Sequence, residues 1–103
     1  MSAEFVTAVK ASSVRPGAVV AIDMRGTRIA VANVAGTYDA FDDTCTHEQC
    51  SLAEGDLAGT TITCMCHGSE FDIQTGKVLA PPAPGPIKVY PIRVNGDSLE
   101  IGV

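Results

Sequence analysis

The chain has 103 residues, of which 46% are hydrophobic and 18% charged, and its formal net charge is −5 at pH 7. This length suits one domain, and the high apolar share excludes intrinsic disorder. No apolar run approaches the roughly 18 residues of a transmembrane helix, and the N-terminus lacks the features of a signal peptide, so we expect a cytoplasmic protein without membrane contact.

β-Branched residues predict a sheet-rich fold, because branching at Cβ favours strands over helices. Val, Ile and Thr number 11, 7 and 9, against four Leu. Turn-forming pairs such as Asn95-Gly96 separate short apolar runs, as in β-hairpins. In chain order, we predict a short helical turn near Ser12–Arg15 and strands near Glu4–Lys10, Ala18–Met24, Thr27–Val34, Thr37–Phe41, Thr60–Cys64, Ile87–Val94 and Ser98–Ile101. This pattern predicts a small antiparallel all-β domain, a sandwich or a partly open barrel.

Two stretches do not read as regular strands. Asp42–Ala58 is long and shows weak alternation of apolar and polar residues. Ala80–Pro86 holds four of the six Pro residues, so we expect a stiff, extended segment that lies over another part of the molecule.

Acidic residues concentrate in the middle of the chain. Between Ile29 and Gly76 there are eight acids and no Lys or Arg, whereas the remainder holds seven basic residues and four acids. This distribution argues against nucleic acid as a partner, because nucleic acid requires a basic surface. It favours a basic protein partner that docks on the middle segment.

All four Cys and both His lie in two short groups, Cys45-Thr-His47-Glu-Gln-Cys50 and Cys64-Met-Cys66-His67. Such clustering indicates a metal site. A tetrahedral zinc site with two Cys and two His is one candidate, and a [2Fe–2S] cluster held by four Cys is another. A two-iron cluster with Cys on one iron and His on the other would use the two groups most evenly, since each group would supply one ligand to each iron.

Cys45-x-His47, followed after sixteen residues by Cys64-x-x-His67, resembles the Rieske [2Fe–2S] signature. The similarity continues through Ser51–Gly55, Phe71–Val78 and the Pro-rich stretch 81–84. It is strongest to the Rieske-type ferredoxins that supply electrons to non-heme iron oxygenases which hydroxylate aromatic rings.

The resemblance implies one [2Fe–2S] cluster per chain, with Cys45 and Cys64 on the inner iron and His47 and His67 on the outer iron. It implies a single Rieske domain over residues 1–103, in which a cluster-binding subdomain of two loops, about 41–77, is inserted in the β base. The Pro-rich segment would cover the cluster from a third side.

Further residues take roles from the same resemblance. Cys50 and Cys66 match a pair that forms a disulfide between the loops in respiratory Rieske proteins. Ser69 matches a residue whose hydroxyl donates to a cluster sulfide in high-potential relatives, whereas Phe71 stands where those relatives have Tyr. Glu48 is a candidate contact for a docking partner because of its position beside the expected ligand His47, and not because of the resemblance.

The sequence offers no nucleophile with a base and no Gly-rich phosphate loop, which favours an electron carrier over an enzyme. The resemblance implies that the protein passes single electrons from an NAD(P)H-dependent flavoprotein ferredoxin reductase to a terminal non-heme iron oxygenase. The small Rieske-like subunit of a nitrite reductase and a structural zinc-binding interaction module are the alternative functions.

Overall fold

The computed structural model describes residues 4–46, 50–66, 68–81 and 83–103. Within these ranges the chain forms strands and two single-turn 3-10 helices, at Ala11–Ser13 and Leu52–Glu54, and the all-β prediction is confirmed. The strands are β1 (Phe5–Lys10), β2 (Val19–Met24), β3 (Thr27–Val34), β4 (Thr37–Asp42), β5 (Asp56–Ala58), β6 (Thr61–Thr63), β7 (Glu70–Asp72), β8 (Val78–Ala80), β9 (Val89–Tyr90), β10 (Ile92–Asn95) and β11 (Ser98–Gly102). Among the described residues, no helix is long and apolar enough to cross a membrane.

The strands form three antiparallel sheets that do not close into a barrel. The terminal sheet has the order β1-β11-β10, the central sheet β2-β3-β4-β9 and the loop sheet β5-β6-β7-β8. One core lies between the terminal and central sheets and contains Val31, Leu99 and Ile101. A second core lies between the central and loop sheets and contains Phe41 and Phe71. The central sheet is therefore buried on both faces.

Strand β3 shows how the central sheet serves two cores. Ile29 and Val31 point into the first core, whereas Ala30 and Ala32 point into the second, and all four are fully buried. Because successive side chains of a strand point to opposite faces, this division follows from the pleat. The small Ala side chains let the loop sheet approach closely.

The chain changes sheets where the sequence predicts one strand over Ile87–Val94. The structure has two strands there, because Val89–Tyr90 pairs with β4 and Ile92–Asn95 pairs with β11. Pro91 separates them and has no backbone N–H to donate to a sheet. Its carbonyl oxygen instead accepts a hydrogen bond of 2.8 Å from the amide of Gly102.

The loop sheet is the part of the fold that departs most from the predicted elements. Strands β5, β7 and β8 have three residues each, and the strand predicted over Thr60–Cys64 is confined to Thr61–Thr63. The helical turn lies at Ala11–Ser13, one to two residues earlier than predicted. The loop sheet ends at Ala80 of β8, and the division of the chain into a β base and a cluster-binding subdomain over about 41–77 stays a prediction.

Asp39 of β4 brings a carboxylate to the boundary between the central and loop sheets. It lies on the same strand face as Phe41. Its Oδ2 atom is buried and has no hydrogen-bond partner among the described residues. Burial above all, and then the negative charge of Asp72 on β7, raise the pKa of the Asp39 carboxyl above its ordinary value.

We expect Asp39→Asn to stabilise the protein at neutral pH, because it removes a poorly solvated negative charge. The gain should be less than about 1 kcal/mol, since solvent screens the charge of a carboxylate that is partly exposed. The folded state holds the Asp39 proton more tightly than the unfolded state does. The parent protein therefore loses stability as pH rises from the ordinary Asp pKa through the raised one. The advantage of the variant should shrink as pH falls toward about 4, which urea unfolding followed by circular dichroism at several pH values would measure.

The control is Asp56→Asn, which removes the same charge from an exposed position on β5. It should leave the pH dependence of unfolding unchanged. A D39N variant that tracks the parent protein at every pH would contradict the assignment of this carboxylate as a destabilising group.

Candidate metal centre

Two loops carry the Cys residues, and their backbones close in the same way. In the first loop (residues 43–52), the Cys45 amide donates to the Cys50 carbonyl oxygen at 2.9 Å. In the second loop (residues 64–69), the Cys64 amide donates to the Ser69 carbonyl oxygen at 2.7 Å. The Gly68 amide also donates to the Cys64 carbonyl oxygen. Each loop thus places one Cys at the start of a tight turn.

Cys45 and Cys64 are the two cysteines outside the disulfide, and their exposed fractions are 1% and 3%. Both belong to the core between the central and loop sheets. The structure therefore brings the two predicted Cys ligands into one buried region. His47, Glu48 and His67 lie outside the described residues, so their roles stay predictions.

The sulfurs of Cys50 and Cys66 are joined in a disulfide, with Cα atoms 6.5 Å apart, as the resemblance implies. This bond links the first loop to the second. The Cys64 sulfur lies within 4.8 Å of both disulfide sulfurs. Since a disulfide offers no thiolates, these three sulfurs do not form a three-thiolate metal site, and a cluster held by four Cys does not fit this structure.

The Pro-rich segment, which we call the strap (Ala80–Pro86), contacts both loops. Thr46 of the first loop donates its hydroxyl to the Gly85 carbonyl oxygen at 2.8 Å. The amide of Ala83 donates to the hydroxyl oxygen of Ser69 in the second loop at 3.1 Å. Ser69 is fully buried. The predicted position of the strap over the loops agrees with these bonds.

Asp43 anchors the first loop, a role that sequence reasoning missed when it counted this residue among the middle acids. The side chain is buried, with 1% of its surface exposed. Its Oδ1 accepts the Ala53 amide at 2.8 Å, and its Oδ2 accepts the Ser51 hydroxyl at 2.7 Å. Arg28 Nε lies 3.3 Å from Oδ2 and supplies the opposite charge.

Residues 4–91 match the model of the Rieske [2Fe-2S] domain. The chain belongs to this family. Membership indicates an iron–sulfur cluster as the cofactor, and two buried cysteines outside the disulfide fit a Rieske centre, which requires two thiolates and two imidazoles.

Relatives of this Rieske protein include ferredoxin subunits of dioxygenases. This chain is 40% identical over 93 residues to the biphenyl dioxygenase ferredoxin subunit of Pseudomonas sp. strain KKS102, and the match covers 89% of this chain and 85% of that one. The ferredoxin of Sphingomonas yanoikuyae B1 is 35% identical with a TM-score of 0.91, over 97% of this chain and 99% of that one. A solved complex of reduced oxygenase and oxidized ferredoxin in carbazole 1,9a-dioxygenase contains a chain that is 31% identical with a TM-score of 0.89, over 95% of this chain and 92% of that one.

The Rieske fold uses several of the middle acids for internal contacts. Asp42 accepts a hydrogen bond of 2.5 Å from the Tyr90 hydroxyl, and burial together with this contact raises the pKa of Tyr90. Asp72 accepts the amide of Gln74 at 2.8 Å. Asp43 is buried and Asp39 is half-buried. Among the described acids of this segment, Glu54 and Asp56 remain exposed, so the acidic surface is smaller than the sequence suggests.

Proposed function

We propose that this Rieske protein is a one-electron carrier, the ferredoxin component of a non-heme iron oxygenase system in the cytoplasm. It would bind one [2Fe–2S] cluster per chain, receive electrons from an NAD(P)H-dependent flavoprotein reductase and deliver them to a terminal oxygenase. The observation that carries this proposal is the 40% identity to a dioxygenase ferredoxin subunit over most of both chains. The nitrite reductase alternative has no support from the relatives described above.

The proposed ligands are Cys45 and Cys64 for one iron and His47 and His67 for the other. When bound, such a cluster accepts and releases one electron at a time. The burial of both Cys side chains supports this assignment, because it keeps their sulfurs away from water and oxidants. The strap and the disulfide hold the two loops that carry all four ligands.

Iron and acid-labile sulfide analysis tests the cofactor first. The proposal requires two iron and two sulfide per chain and, after reduction with dithionite, the EPR signal of a mixed-ligand two-iron centre. Cys45→Ser and Cys64→Ser should each remove the signal. A colourless protein that binds zinc with the same residues would instead establish the zinc module.

The reduction potential provides a second prediction. With two thiolates and two imidazoles as ligands, the oxidised site is neutral. It should therefore accept an electron more easily than the cluster of four-Cys ferredoxins, whose reduction potential is about −400 mV. The hydroxyl of Ser69 favours reduction. Phe71 lacks the hydroxyl of the Tyr that high-potential relatives have at this position, and the exposed acids oppose added negative charge. We expect a midpoint in the lower half of the range from about −150 to +300 mV, and a lower one in Ser69→Ala.

Protein-film voltammetry of the parent and Ser69→Ala proteins would measure both potentials. Ser69 also accepts the Ala83 amide, so retained iron content must accompany any shift. A parent midpoint above about +200 mV, or a Ser69→Ala potential equal to that of the parent, would contradict this assignment of hydrogen bonds.

Electron transfer itself is tested by stopped-flow spectroscopy. Reductase and NADH should bleach the oxidised cluster absorbance, and a reduced terminal site of the oxygenase should follow when that protein is added. Because exposed acids contribute to docking, the second-order rate should fall as salt rises. The carrier role would be wrong if the cluster exchanged electrons with neither the flavoprotein reductase nor the oxygenase.

A further inference from the structure

The disulfide between the loops is accessible from solvent, unlike the two other cysteines. Cys66 is exposed and Cys50 is half-buried, whereas Cys45 and Cys64 are buried. A cleft of about 460 Å³ is lined by both disulfide cysteines. Thiol–disulfide exchange requires a thiolate to reach a sulfur atom, so access of this kind decides which disulfides react.

The cleft has features that suit a protein thiol. Met65, between the second-loop cysteines, lines it and is 63% exposed, which offers an apolar contact. Arg28, which pairs with the buried Asp43, lines the same cleft with an exposed guanidinium group, and a positive charge favours a thiolate nearby. Glu54 is the exposed acid on the cleft wall. Cys66 is the more exposed of the two cysteines and is therefore the expected point of attack.

We propose that the Cys50–Cys66 disulfide is an exchange site for a protein dithiol of the Cys-x-x-Cys class. The attacking thiolate forms a bond to the Cys66 sulfur, and the Cys50–Cys66 bond breaks. The Cys50 sulfur leaves as a thiolate and takes up a proton. The second thiol of the partner then attacks the mixed disulfide and releases Cys66 as a thiol. The partner is oxidised to a disulfide, and two electrons and two protons reach the Rieske protein.

The exchange has a consequence for the metal centre. The disulfide is a covalent link between the first and second loops, and the Cys64 sulfur lies within 4.8 Å of both of its sulfurs. Breaking this link frees the loops to separate and alters the surroundings of a proposed ligand. Iron should therefore be lost to a chelator faster after exchange. This consequence rests on the proposed ligand role of Cys64, whereas the exchange itself does not.

A trapping experiment on the holoprotein tests the exchange. The probe is reduced thioredoxin in which the second cysteine of its Cys-x-x-Cys motif is replaced by Ser, so that the mixed disulfide cannot resolve. We expect a one-to-one adduct at Cys66, identified by peptide mass spectrometry, with the visible absorbance of the cluster retained. No adduct, or an adduct located at Cys50, Cys45 or Cys64, would overturn the proposal.

Two controls sharpen the result. Unmodified reduced thioredoxin should add two alkylatable thiols per chain to the holoprotein, and a chain that gains none would again overturn the proposal. Met65→Ser should slow adduct formation several-fold, whereas Leu79→Ser, at another exposed apolar residue that does not line the cleft, should not. Equal rates in the two variants would rule out the cleft as the docking site. Iron content and EPR of the same samples report on the proposed function separately.

Discussion

Asp43→Ala is expected to lower the apparent free energy of unfolding by about 3 kcal/mol, because buried donors would lose their acceptor. The affected donors are the Ala53 amide, the Ser51 hydroxyl and the Arg28 guanidinium group. The contacts with Ser51 and Ala53 hold the first loop together, and the contact with Arg28 holds it against β3 of the central sheet. The loop should therefore lose its shape together with its stability. Urea unfolding of the holoprotein, with iron per chain measured before unfolding, checks both effects.

The conservative variant Asp43→Asn separates charge from hydrogen bonding. It retains an oxygen for the Ala53 amide but loses the charge that faces Arg28, so its destabilisation should be smaller than that of D43A. Asp56→Asn, at an exposed acid of the same segment, should have almost no effect. If D43A matched the parent in stability and iron content, the role of Asp43 as the anchor of the first loop would be wrong.

The base of the fold could be predicted from sequence because its strands are long and punctuated by turns. Strand β3 occupies the predicted range Thr27–Val34, and β2 differs from its prediction only at the first residue. Such strands contain enough residues for apolar runs and flanking Gly turns to stand out. The burial of β3 on both faces could not be read from the sequence, because an uninterrupted apolar run does not say what covers each face.

Only β6 of the loop sheet was predicted, for the opposite reason. Its strands have three residues each, which is too few to show alternation. The division of 87–94 into β9 and β10 has a sequence signal in Pro91, since proline is poorly suited to a central strand. Val89 packs on the core between the central and loop sheets, whereas Tyr90 and Ile92 pack on the core between the terminal and central sheets. This depends on tertiary contacts that no local pattern records.

The candidate cysteines were visible in the sequence, whereas their role as ligands stays a prediction. Spacing identified the candidate cysteines, because ligand chemistry restricts residue type and position. The formal charge of the middle segment overstates its acidic surface, since Asp42 and Asp43 accept internal hydrogen bonds and Asp39 is half-buried. Formal charge is visible in a sequence, whereas the partner that neutralises or buries a carboxylate is distant along the chain. Arg28, for example, precedes Asp43 by a full β-hairpin.

Gly76→Ala is expected to destabilise the protein by about 4 kcal/mol, because it combines backbone strain with a steric overlap. Gly76 has a φ of +83°, and a Cβ there would overlap the carbonyl oxygen of Ile87. The Ile87 amide also donates to the Gly76 carbonyl oxygen at 3.0 Å. The turn between β7 and β8 therefore packs directly on the backbone that follows the strap. Relieving the overlap would require this contact to separate.

Gly17→Ala is the matched control for the backbone strain of a residue with positive φ. Gly17 has a φ of +84°, and a Cβ there would meet nothing within 4 Å. Its substitution should therefore cost only the conformational penalty of about 1 kcal/mol. The difference between the two variants, measured by urea unfolding, isolates the overlap with Ile87. Because that overlap would push the strap away from the loops, Gly76→Ala should also lower iron content, whereas Gly17→Ala should not. Equal losses of stability in both variants would show that the turn and the backbone of Ile87, which follows the strap, are not in close contact.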